Sequence, residues 1–103
     1  DGRVSFEVAA LVDNGNAVPI IVRVDSPMTE ADHVREIVVF NERNPQRDVL
    51  RCQLTPANGR AEVGARIRLA TSQQLVALAR LSDGSLWQQR VDVLVTLAAC
   101  IES

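Results

Sequence analysis

Gln74-Gln-Leu-Val-Ala-Leu-Ala-Arg-Leu-Ser-Asp-Gly-Ser-Leu-Trp-Gln-Gln-Arg-Val-Asp-Val-Leu-Val-Thr-Leu97 reads as two strands joined by a tight turn. Ser82-Asp-Gly-Ser85 supplies Asp-Gly, the strongest short-range hairpin signal. Gln74 to Leu81 runs into it, and Leu86 or Trp87 to Leu97 returns. On the return strand Val91, Val93, Val95 and Leu97 recur at every second position. Strand geometry sends these to one face and Asp92, Leu94 and Thr96 to the other. A hairpin of this kind cannot stand alone and needs further strands to cover its apolar face.

The chain supplies them upstream. Ala61 to Leu69 alternates, with Ala61, Val63, Ala65, Ile67 and Leu69 inward and Glu62, Gly64, Arg66 and Arg68 outward. Asp48 to Leu54 sets Leu50, Cys52 and Leu54 against Val49, Arg51 and Gln53. Arg35 to Glu42 carries Ile37-Val-Val-Phe40, and Val18 to Val24 places Val18, Ile20, Val22 and Val24 together. Val4, Phe6 and Val8 make a short first strand. Pro19 has no N–H to donate, which predicts an edge position for its strand or a later start. Turns are expected at Asp13-Asn-Gly-Asn16, Asp25-Ser-Pro-Met28, Asn41-Glu-Arg-Asn-Pro45 and Thr55-Pro-Ala-Asn-Gly59. Thr29 to His33 could form one helical turn capped by Thr29 or Ser26. About seven strands near ten-residue spacing, with no long helical pattern, predict an all-β fold. The expected architecture is an antiparallel β-sandwich of immunoglobulin-like type, spanning residues 1–97, with a tail at 98–103.

Composition narrows the function classes. The chain has 103 residues, 47% hydrophobic and 23% charged, with a net charge of −2. That excludes disorder. Basic and acidic residues are interspersed, against the basic face that nucleic-acid binding needs. No apolar run approaches the length of a membrane span. There is no signal peptide, but the chain opens at Asp1 without Met, so its sequence alone does not fix a compartment.

Ile21, Val38, Phe40, Val76, Leu78 and Leu94 fall on the parity opposite to the core set of their strands. Two readings stand for them. Either the parity of a strand is shifted or the chain's own loops cover these side chains, or else one sheet face is buried against a second protein, a partner or another copy.

Few residues offer chemistry. Cys52 shares the Leu50/Leu54 face and is expected to be a buried, unreactive thiol. Cys100 lies three residues past Leu97, on the parity opposite to Ala99, where a thiol can be presented outside the domain. Parity disfavours a Cys52–Cys100 disulfide. His33 has no carboxylate or cysteine at ligand-like spacing and reads as an exposed loop residue. Asp25, Ser26 and Asp32 lack a nucleophile-elbow pattern. Arg66 and Arg68 line a solvent face, and Trp87 reads as core or rim packing. No phosphate loop, zinc spacing or paired carboxylates suggest a metal or cofactor, and no acid–base pair suggests an enzyme.

Several motifs occur together and in order: Val24-Asp-Ser-Pro-Met-Thr29, Ile37-Val-Val-Phe40 with Asn44-Pro45, and Leu54-Thr-Pro-Ala-Asn-Gly-Arg-Ala-Glu-Val63. They continue through Arg66-Ile-Arg-Leu69, Leu81-Ser-Asp-Gly-Ser-Leu-Trp87 and Val91-Asp-Val-Leu-Val-Thr-Leu97. From about Asn16 to Cys100 the chain resembles the SoxY family, sulfur-carrier subunits of the bacterial periplasmic thiosulfate-oxidising (Sox) system. The resemblance implies an immunoglobulin-like sandwich, a heterodimer with the small sandwich protein SoxZ, and a periplasmic location. It also implies a carrier with no cofactor of its own, whose covalent sulfur adducts are processed by separate Sox enzymes. In the family the carrier cysteine sits in a Gly-Gly-Cys-Gly-Gly arm after the last strand, and Cys100 matches it by position. The flanks differ: Ala98 and Ala99 stand for the glycines before it, and Ile101, Glu102 and Ser103 for those after it. Alanine and isoleucine make a stiffer, bulkier arm than glycine. Glu102 disfavours the thiolate. The alternative implied by those flanks is a binding or assembly module that kept the fold and lost the carrier chemistry.

Overall fold

The computed structural model describes residues 3–8, 11–12, 17–41, 44–69 and 72–95. Among them lie eight strands: β1 (Val4–Glu7), β2 (Leu11–Val12), β3 (Val18–Val24), β4 (Val34–Asn41), β5 (Asn44–Gln53), β6 (Glu62–Ile67), β7 (Gln73–Leu81) and β8 (Leu86–Val95). They form a three-stranded sheet, β1-β3-β6, facing a five-stranded sheet, β2-β8-β7-β4-β5. Every pairing is antiparallel except β2 with β8, which is parallel over Leu11↔Leu94 and Val12↔Val95. Seven of the strands have four or more residues, and the fold is the expected β-sandwich.

The inner faces follow the alternation. Ile20 and Val22 of β3 meet Ile37 and Val39 of β4, Leu75, Ala77, Ala79 and Leu81 of β7, and Val93 of β8 in one apolar cluster. Each large side chain so buried contributes about 1.5–3 kcal/mol. No buried side-chain polar atom among the described residues lacks a partner.

The Asp-Gly signal folds as expected. Gly84 N–H donates to the Leu81 carbonyl at 3.0 Å, and Leu81 N–H donates to the Ser85 carbonyl at 3.0 Å. Gly84 is left-handed, with φ 87°, while Ser82 and Asp83 are not. This is a type I turn closed by a left-handed glycine, a common three-residue hairpin loop. Asp83 accepts from the Ser85 N–H at 2.8 Å and the Ser85 hydroxyl at 2.6 Å.

Four expectations need correction. First, β3 is the middle strand of its sheet, despite Pro19. The β1 pairing ends at Glu7↔Ile21, so at Pro19 the strand is flanked by β6 alone, and the ring sits where β1 has stopped. Second, residues 41–45 are not a five-residue loop. β4 runs to Asn41 and β5 starts at Asn44, through Pro45. β5 is an edge strand with register shifts between Val39 and Asn41, and that is where a strand tolerates proline. Third, Thr29 to His33 is not helical. Thr29 and Asp32 exchange backbone hydrogen bonds of 2.9 and 3.2 Å, closing a tight loop. Fourth, the short parallel β2 was not foreseen, since two residues carry no periodicity.

Before that loop, Met28 adopts φ 55°. A left-handed non-glycine residue costs on the order of 1 kcal/mol. Burial of the side chain offsets this, as does the thioether, which accepts the Val34 N–H at 3.4 Å. The Ser26 hydroxyl accepts the Met28 N–H at 3.2 Å, so Ser26 serves the turn.

Candidate functional site

The cysteine singled out by the sequence, Cys100, lies outside the described residues, as do Ala98, Ala99, Ile101, Glu102 and Ser103. What the structure defines is the strand that leads to it. The last described residue, Val95, is fixed from two directions: β2 pairs with it in parallel register, and its N–H donates to the Ser72 hydroxyl at 2.8 Å. The segment bearing Cys100 therefore starts from an anchored point at one end of the five-stranded sheet.

The outward face of that sheet is apolar at its centre. Val38 and Val76 point away from the core cluster, yet they are only 6% and 2% exposed. Val38 sits opposite Leu78, and Val76 opposite Phe40. Phe40 and Leu78 are half-buried, while Leu94 further along β8 is 59% exposed. Polar pairs frame these residues: Arg51 with Glu36 at 2.7 Å, and the Gln74 amide donating to Asp92 at 3.0 Å.

At the opposite end from Val95, the same sheet carries a cleft of about 380 Å³ lined by His33, Arg35, Glu36, Gln53, Leu54 and Arg80, with Thr55 and Pro56 at its rim. A bulge builds it. Val34 pairs with Leu81 and Glu36 with Arg80, so Arg35 is an extra residue in β4. Bulges re-aim side chains in this way. The Arg35 carbonyl accepts the Leu54 N–H at 2.8 Å, and His33 is tied to Ser82 through both its N–H, at 3.1 Å, and its carbonyl, at 2.8 Å. His33 Nδ1 lies 3.0 Å from the Thr29 carbonyl. A carbonyl can only accept, so Nδ1 carries the proton and Nε2 is the free edge of the ring. His33 is a loop residue as expected, but it is half-buried rather than exposed, and its partner is a backbone carbonyl.

Cys52 keeps the expected parity, paired with Ile37, but it is half-buried rather than buried. The cause is its position on edge strand β5, which has a neighbour on one side only. Trp87 is a rim residue. Its ring packs against the core, its N–H donates to the Ser85 hydroxyl at 3.2 Å, and the Arg3 guanidinium stands 5.2 Å from the ring centre. Arg66 is exposed on β6 and Arg68 just beyond it, as expected. Asp25 gives its carbonyl to Arg3, and Asp32 lies 4.0 Å from the same guanidinium. Among the described residues no group of three His, Cys, Asp or Glu could hold a metal ion, and no helix is long and apolar enough to cross a membrane.

These features define a small two-sheet β-sandwich with an apolar outer sheet face and a cysteine in the segment after its last strand. The family model described as sulfur oxidation protein SoxY matches residues 1–100, and the chain belongs to that family. Its members act in sulfur oxidation. Among solved structures, the sulfur carrier protein SoxY from Chlorobium limicola f thiosulfatophilum is 24% identical, with a TM-score of 0.75 over 94% of this chain and 82% of that one. A superoxide reductase (neelaredoxin) from Ignicoccus hospitalis has a TM-score of 0.78 at 21% identity, over 90% of this chain and 80% of that one. A putative superoxide reductase from Thermotoga maritima has a TM-score of 0.75 at 22% identity, over 90% and 85%. At these identities the likeness is one of fold, and the fold is shared by a carrier and by enzymes. No curated protein sequence matches the chain.

Proposed function

We propose that this protein is a periplasmic sulfur carrier, not itself an enzyme, that holds intermediates of thiosulfate oxidation covalently on Cys100. The observation that carries the reading is the family match, which extends over residues 1–100 and so includes that cysteine. Loading joins the Cys100 thiolate to the outer sulfur of thiosulfate. An S–S bond forms, and two electrons leave to an oxidising enzyme. Later enzymes act on the bound sulfur, so the carrier needs reach and exposure rather than acid–base groups. Residues 98–103 serve as the arm and the preceding residues as the sandwich that holds it.

The same reading gives the outer face of the five-stranded sheet to a SoxZ-like partner, with a homodimer as the form taken in isolation. Exposed Leu94 and half-buried Phe40 and Leu78 support a protein-facing surface, while Val38 and Val76 beneath them are already covered within the chain. A second reading, an assembly module without carrier chemistry, draws on Ala98, Ala99 and Ile101 in place of flexible glycines.

Mass spectrometry of the protein taken from its native compartment separates the two. The carrier reading expects sulfur, sulfonate or thiosulfonate mass on Cys100 that disappears with reductant and is absent from Cys100→Ser. A thiol that never carries such an adduct, even when offered to thiosulfate-oxidising enzymes with Ala98, Ala99 and Ile101 changed to Gly, leaves the assembly module.

A further inference from the structure

The cleft at the His33 end of the five-stranded sheet has a chemistry that the carrier reading does not use. Two of its lining residues, Arg35 and Arg80, have no ion-pair partner among the described residues. Its one acid, Glu36, is held by Arg51 at 2.7 Å. Two of its backbone donors are already engaged: Leu54 N–H goes to the Arg35 carbonyl at 2.8 Å, and Thr55 N–H goes to the Asn58 side-chain oxygen at 2.8 Å. What remains to donate to a ligand is two guanidiniums and the Gln53 amide, with the His33 ring beside them as a reporter rather than a donor. On a chain of net charge −2 this is a local excess of positive charge, walled by Leu54 and Pro56.

The bulge adds the second observation. Without an extra residue at Arg35, strand alternation would send Arg35 and Glu36 to opposite faces. The shift between Val34 and Glu36 instead lets Val34 and Ile37 both stay in the core. Arg35 is released to line the cleft together with Arg80, which faces Glu36 across the strands. Glu36 stands beside both but is neutralised by Arg51, so the two guanidiniums leave the cleft with a net positive charge that an anion would offset. Guanidiniums bind oxyanions through paired N–H donors, and two of them match a double negative charge.

We propose that this cleft is a binding site for a small divalent oxyanion of the sulfate or thiosulfate type, held by Arg35 and Arg80 with His33 at the edge. The site lies at the other end of the sheet from Val95, the last described residue. Nine strand positions along β8 separate Leu86, opposite Arg80, from Val95, which is about 30 Å. Nothing in the proposal requires Cys100 to carry sulfur.

Titration of the full chain with sodium sulfate and sodium thiosulfate tests it, with sodium chloride at matched ionic strength as reference and sodium acetate as a carboxylate probe. His33 is the one histidine of the chain, so its ring resonances report on the cleft without ambiguity. The divalent anions are expected to move them saturably in the millimolar range, and chloride and acetate are not. Arg35→Gln and Arg80→Gln should each weaken binding about tenfold. Arg66→Gln, on the other sheet, should leave it unchanged. Melting curves on each variant establish that it is folded. A linear response equal to that of chloride, saturation by acetate at the same concentration, or unaltered binding in a folded Arg35→Gln/Arg80→Gln double variant overturns the proposal.

Discussion

The two sheets bury their inner faces alike and differ in what they show outside. The three-stranded sheet presents Ser5, Glu7, Arg23, Glu62 and Arg66, with exposed Pro19 and half-buried Ile21 among them. Arg23, near the end of its middle strand, bridges both neighbours, Glu7 on β1 at 2.9 Å and Glu62 on β6 at 2.6 Å. The five-stranded sheet puts Val38, Phe40, Val76 and Leu78 at its centre and moves its polar pairs to the border. Alternation therefore specifies which side of a strand faces the core, but not what the other side is for. A face that carries charges is finished by water. On the five-stranded face Phe40 and Leu78 stay half-buried and Leu94 is exposed, and that is the physical basis for proposing a partner there.

The largest effect expected from testing this contrast is in the shared core. Ile37→Ala, at a fully buried position, should lower stability by about 3 kcal/mol, read from chemical denaturation. Leu94→Ser, on the outer face of the same sheet, should change the stability of the isolated chain by no more than about 0.5 kcal/mol. It should nevertheless weaken association in sedimentation measurements. If Leu94→Ser destabilises the chain as much as Ile37→Ala, the outer face is part of the fold and not a contact surface. On the other sheet, the Glu62 and Glu7 hydrogen bonds raise the Arg23 pKa further above its ordinary value. These are exposed pairs, so Arg23→Gln should shift the melting temperature slightly, and about 0.5 M salt should erase the difference.

The smallest effect lies at the hairpin tip. The Ser85 hydroxyl, followed by its backbone N–H, holds the Asp83 carboxyl below its usual pKa. A carboxylate depressed in the folded state stabilises above its unfolded pKa and loses that contribution as pH falls through the folded one. Ser85→Ala should thus be slightly less stable than the parent near neutral pH. The gap should close below about pH 4, in the carboxylate range. A gap that widens in acid would mean that the hydroxyl acts elsewhere.

Most of the fold was legible because it rests on side-chain parity and on one dipeptide. Val91, Val93 and Val95 face the core or pack against it, and Asp83-Gly84 turns the hairpin. What escaped depends on which strand lies next to which. Pro19 is tolerated in a central strand only because β1 stops short of it. The half-exposure of Cys52 follows from the edge position of β5. The cleft was hidden for the same reason, since the extra residue at Arg35 exists only relative to β7. Cys100 is proposed from its place in the chain and from family likeness, and it lies outside the described residues.

The parallel pairing of β2 with β8 also bears on how the molecule is made. Leu11 must find Leu94, its partner across nearly the whole sequence, before the five-stranded sheet has its full width. Closing so long a loop gains nothing until both ends are in place. The sandwich cannot finish folding while its last strand is still within the ribosome, and refolding belongs to the slow, millisecond-to-second class of β topologies. Until then β8 is an open edge, and in a sheet with an apolar outer face that interval is when the chain is most exposed to aggregation.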